Sequence, residues 1–234
     1  MSPAALILVH ASTLLISILC FYLFYVLLKR YMNNLLLPTL FLSLYSLTIG
    51  MLYAFVFFLR FPSVENSVAM MTPIVPLMVF ISQATAPFFS AAFAVLTLYP
   101  KRGKWLALLA LFLTLYCVIL IILNPPVFAE AYGGVMELVC HENTVSAMWV
   151  TLFLSLAAPV FLVYYSIVIR PKEQKIKGVM LSISFFALAY LIHYQENFGA
   201  GALLYVRRVL IFLAMFFLYS GFTMPGWFKK LVGA

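Results

Sequence analysis

Aspartate is absent from the 234 residues, and charged residues of all kinds make up only 9% of the chain. A soluble domain carries about 25% charged residues and is roughly half apolar. Here 66% of residues are hydrophobic and the mean hydropathy is +1.14. A water-soluble core cannot absorb that surplus, because at this length much of a soluble fold lies near its surface. The solvent for most of the chain is therefore lipid. Cysteine is also scarce: Cys20 and Cys117 fall in apolar runs and Cys140 in a polar stretch. An odd, scattered set excludes a disulfide framework.

Catalytic motifs are missing too. There is no G-x-S-x-G, H-E-x-x-H, C-x-x-C or P-loop pattern, and no paired aspartates. No enzyme and no cofactor is expected. No Asp, Glu, Lys or Arg sits in the middle of an apolar run, where proton pumps and ion-coupled transporters place ionisable groups. Every lysine lies at the edge of a run, so a retinal Schiff base has no residue to form on. Internal repeats, low-complexity tracts and a second domain are likewise lacking. The first residues carry no positive n-region, and their apolar run is too long for a signal-peptide core, which predicts a retained helix.

What is present is a set of seven apolar runs, each near the length of about 20 residues that crosses a bilayer. They fall at Ala5–Leu28, Pro38–Leu59, Pro73–Leu98, Trp105–Leu123, Val145–Ile169, Gly178–His193 and Leu203–Phe222. The runs are continuous rather than alternating, which predicts helices and not a barrel. The expected fold is an all-α membrane bundle of seven helices in one domain, a multi-pass protein of the cell membrane.

The net charge of +8 does not point to nucleic acid, because the basic residues cluster between the runs rather than along one face. Lys29, Arg30, Lys101, Arg102, Lys104, Arg170, Lys172, Lys175, Lys177, Lys229 and Lys230 share one side, eleven of the fourteen. Arg60, Arg207 and Arg208 are on the other. The positive-inside rule then puts the N-terminus outside and the C-terminus in the cytoplasm. The longest loop, Asn124 to Thr144, is on the outer side; it opens on Asn-Pro-Pro and holds Gly133-Gly134.

Small and hydroxyl residues recur at spacings of three and four. The sets are His10, Thr13, Ser17, Cys20; Thr39, Ser43, Ser46, Gly50, Tyr53; Gln83, Ala86, Ser90, Ala94, Thr97; and Thr151, Ser155, Ala158, Leu162, Tyr165. Each set marks one helix face turned inward. Such faces serve as packing surfaces between helices, or they line a cavity. Gln83 argues for the cavity, since an amide at mid-helix needs a partner. Pro73, Pro76, Pro87 and Pro159 free backbone carbonyls and permit kinks. A pocket built on Gln83, His193, Arg208, Tyr205 and Tyr219 is one candidate. A metal site from His10, His141, His193 and Glu196 is another, suited by residue type to zinc or copper but without a recognised ligand spacing. The plain alternative for the outer polar residues is an interfacial network with snorkelling arginines. Arg102, Lys172 and Lys175 are candidates for contact with a cytoplasmic partner or anionic lipid, against the plain alternative of a solvated basic cluster.

The close of the last helix, Leu218 to Val232 (LYSGFTMPGWFKKLV), resembles the end of the seven-helix sensor modules that precede microbial histidine kinases. The topology also resembles that of G-protein-coupled receptors. The chain departs from both: its 234 residues include no kinase domain, Leu98-Tyr99-Pro100 stands where receptors carry Asp-Arg-Tyr, and Asn-Pro-x-x-Tyr is missing from the last helix. PQ-loop sugar transporters share the topology, but their paired prolines and Pro-Gln motif are absent. The resemblance implies a receptor-like protein that binds a small ligand and signals to a separate cytoplasmic protein. A transporter or channel for a small uncharged solute, and a structural subunit of a membrane complex, are the competing expectations. The oligomeric state is left open.

Overall fold

A peptide group in lipid has no water to bond, so a spanning segment must satisfy its own backbone, and a helix does so within one segment. The computed structural model describes residues 3–59, 74–125, 127–131, 135–139, 142–169, 171–194 and 204–232. Its main elements are α1 (Pro3–Asn34), α2 (Leu37–Leu59), α3 (Ile74–Leu98), α4 (Gly103–Leu123), α5 (Val145–Val168), α6 (Lys172–Leu188), α7 (Leu204–Thr223) and a short α8 (Gly226–Val232). Seven of these helices, α1 to α7, are long and apolar enough to cross a membrane, the architecture of a multi-pass membrane protein.

Two helices extend beyond the apolar runs. α1 continues through Lys29 and Arg30 to Asn34. Leu35 then ends it in the left-handed region (φ 50°), its N–H donating to the Tyr31 carbonyl at 2.6 Å. α6 begins at Lys172 rather than Gly178. Its first turn is polar but still helical, because Glu173 sits where the helix dipole favours a carboxylate and meets Lys177 one turn later at 3.2 Å. At its other end α6 passes into a π-helical stretch, Ala189–Tyr194.

Two stretches of the Asn124–Thr144 segment are strands. Strands β1 (Val127–Ala131) and β2 (Val135–Val139) pair antiparallel, with Val127 opposite Val139 and Ala131 opposite Val135. A 3-10 turn, Glu142–Thr144, leads into α5.

α3 is the central helix, packed against α2, α4 and α5, while α1–α2, α5–α6, α6–α7 and α7–α1 contacts close the ring. Its spanning window is 72% buried, against 22% for α4, so α4 stands at the periphery. Small residues set the closest approaches. A Cβ on Gly50 would lie 3.2 Å from the Cys20 Cβ, and Ser17 donates to the Gly50 carbonyl at 3.0 Å. A Cβ on Gly178 would meet the Ser166 Cβ at 3.0 Å, so α5 and α6 touch nearly backbone to backbone. Phe185 packs on Tyr45 (centroids 5.2 Å apart) and on Phe93 (6.0 Å). All three rings are buried.

Candidate functional site

The inward stripes are buried as their spacing requires, but most of their hydroxyls bond within their own helix. Thr13 donates to Val9, Ser46 to Leu42, Ser90 to Pro87 and Thr151 to Met148, each a carbonyl three or four residues back. Some side-chain bonds cross between helices. Besides Ser17–Gly50, Ser182 donates to the Pro159 carbonyl at 2.9 Å, tying α6 to α5. Along most of their length the stripes are packing surfaces.

At the end away from the basic loops, another cross-helix bond stands out. The Gln83 amide donates to the Ile192 carbonyl at 3.1 Å, joining α3 to the π-helical continuation of α6. A π turn loosens the regular i−4 ladder, which leaves carbonyls there available to other donors. His193, the next residue, is buried as well. Arg208 is 1% exposed, the largest fully buried side chain among the described residues. Its guanidinium carbon lies 4.9 Å from the centroid of the Tyr53 ring, also fully buried. In a water-free setting such a cation–π contact contributes about 2 kcal/mol or more. This end therefore holds an arginine on an aromatic face and an amide bridge to a loosened helix. Such groups suit a polar or anionic ligand.

The other end is built differently. There a crevice of about 560 Å³ opens between α1, α2, α3, α5, α6 and α7. The last or first residues of three stripes, Thr39, Thr97 and Tyr165, all line it. Phe93, Leu96, Leu162 and Leu181 form its apolar walls, and Arg30 and Lys177 supply its charge. Arg30 lies over the Phe222 ring at 5.1 Å, and the Tyr165 hydroxyl donates to Gln174 at 3.3 Å. Just outside, Glu173 bonds Lys177 and also Lys229 of α8, at 3.1 Å.

The sequence candidates divide between these regions. Gln83, His193 and Arg208 are buried in the half of the bundle away from the basic loops. Tyr219 is not near them: it is eleven residues beyond Arg208 on α7, about 16 Å along the axis, and packs against Tyr22 of α1 at 6.0 Å. The side chain of Tyr205 lies outside the described residues. So do His141 and Glu196 of the candidate metal set; His10 packs edge-on against Phe57 at 6.2 Å, and no three metal-ligating side chains come together among the described residues. Arg102, Lys172 and Lys175 are exposed at the basic end. Sequence reasoning missed Tyr53 as the partner of Arg208, and it missed the crevice. The signal was partial: Tyr53 ends the α2 stripe, and Thr39, Thr97 and Tyr165 are the stripe residues nearest the basic loops.

The chain matches no protein-family model, no curated protein and no solved structure.

Proposed function

We propose that this chain is a receptor-like membrane protein, with its N-terminus outside and its C-terminus in the cytoplasm. It binds a small polar ligand beside Gln83, His193, Arg208 and Tyr53, and it signals through the basic end to a separate cytoplasmic protein. The basic loops support the orientation by the positive-inside rule. One observation carries the reading. α6 runs from the crevice wall, at Lys177, Gly178 and Leu181, to the π-helical turn whose Ile192 carbonyl takes the Gln83 amide. A ligand that competes for Gln83 frees one end of α6, and a shift of this helix reshapes the crevice at its other end. Helix shifts of this kind are an established way to link two sites, and the ligand acts by favouring one of two packings.

The experiment is a labelling assay. Gln174→Cys, in a background with Cys140→Ser, is exposed to a water-soluble thiol reagent. Gln83→Leu at the far end should change its labelling rate roughly fivefold or more, the lower range of allosteric coupling. An unchanged rate removes the coupling and with it the receptor reading. A crevice open at one end is also the form of a solute transporter resting open to that side. Uptake of a neutral solute into proteoliposomes, reduced by Gln83→Leu, would decide for transport. For the partner, Arg102→Glu with Lys172→Glu should release a cytoplasmic protein that the unaltered chain retains.

A further inference from the structure

The crevice at the basic end carries a charge pattern that neither signalling nor solute transport requires. Two cations, Arg30 and Lys177, line it, and none of its lining residues is acidic. They come from different helices, α1 and α6. Below them the walls are aliphatic: Leu96, Leu162 and Leu181. The rim is aliphatic too, and open. Leu35, Leu36 and Leu37 are 71%, 57% and 42% exposed and border the crevice. Three adjacent exposed leucines where one membrane helix passes into the next belong in an apolar environment rather than in water. The mouth of the crevice is thus apolar on one border and cationic on others.

We propose that this crevice is a binding site for an anionic phospholipid. Its phosphate sits between Arg30 and Lys177, and an acyl chain follows Leu35–Leu37 onto the aliphatic wall. The volume of about 560 Å³ is within the usual range for a small-molecule site. Basic pockets between membrane helices at a membrane surface select anionic head groups by the same electrostatics. Lys177 is the shared residue. It is bonded to Glu173, and Glu173 also holds Lys229 of α8. A phosphate competes with Glu173 for Lys177 and leaves the carboxylate to Lys229 alone, so lipid occupancy bears directly on how α8 is held. The site stands whether the chain proves a receptor or a transporter.

The test is a titration of the purified full chain, in a neutral detergent, with phosphatidylglycerol and with phosphatidylcholine of the same acyl chains, read by native mass spectrometry. Phosphatidylglycerol should bind in preference. Arg30→Ala with Lys177→Ala should weaken it roughly thirtyfold, from about 1 kcal/mol per cation near a membrane surface. Lys101→Ala with Lys104→Ala removes two basic residues that do not line the crevice, and should leave affinity unchanged. Thr97→Trp fills the crevice and should abolish binding; the paired alanine variant alters only polar rim groups and serves if the tryptophan variant fails to fold. Equal binding of the two lipids, or equal losses from both pairs of alanine changes, would overturn the proposal. So would glycerol phosphate binding as tightly as the lipid, since the acyl chain would then contribute nothing, or an acidic peptide displacing the lipid completely at equal concentration.

Discussion

The two ends of this bundle spend their polar residues in opposite ways. Away from the basic loops, Gln83 and Arg208 are turned into the protein, onto the Ile192 carbonyl and the Tyr53 ring. At the basic end, Arg30 and Lys177 border a crevice instead, and Glu173 holds two lysines at the surface. The first set is buried, and the second is more exposed. Burial makes polar contacts expensive to lose, whereas contacts at a wet interface exchange partners cheaply. The buried end should therefore lose more stability when one partner is removed.

Removing a partner at the buried end should have the largest effect. Tyr53→Ala deletes a fully buried ring and the aromatic face under Arg208, and should cost about 3–5 kcal/mol, as truncation of large buried aromatics does. Thermal denaturation in detergent measures it; a loss below about 1 kcal/mol would mean that Arg208 is held by other groups. Gly178→Val comes next. Its side chain must displace Ser166 and Tyr165, prising α5 from α6 beside the crevice, at about 1–3 kcal/mol. The same variant should speed labelling at Gln174→Cys, and slower labelling would show that the crevice closes rather than opens. The smallest effect is expected for Glu173→Gln. Both of its ion pairs are exposed, so the loss should be no more than about 1 kcal/mol and should vanish at high salt. A larger effect would place α8 among the stabilising parts of the fold.

The difference between the ends also explains what was legible in the sequence. Seven helices follow from run length and hydropathy, which are local properties. Helix ends at charged turns are less so: Lys172 to Lys177 contain too few apolar residues to extend the α6 run, yet Glu173 and Lys177 support each other as a helical pair. Burial of Gln83 and Arg208 follows from the cost of a lone polar group in lipid. That Arg208 meets Tyr53 does not follow, because it depends on how α7 and α2 rotate about their own axes, and no spacing within either helix carries that information. Tyr219 shows the same limit: it shares α7 with Arg208 but packs against α1. The crevice was hidden for a related reason. A stripe of small residues looks alike whether its neighbours close on it or stand apart, and only the packed bundle separates Ser46 from Thr39. The β1–β2 pair was hidden by length, since two five-residue strands within an acidic segment leave little periodicity to detect.

The π-helical stretch at 189–194 works as a phase adjuster. One residue more or less turns everything after it by about 100° around the helix axis. Deleting a residue there to restore a regular α-helix would swing the Ile192 carbonyl and the His193 ring off their present bearing, while leaving Lys177 and the rest of the crevice wall where they are. The widened turn thus lets one continuous helix present two faces, one toward each end of the bundle, that a uniform helix would set at a different angle to each other.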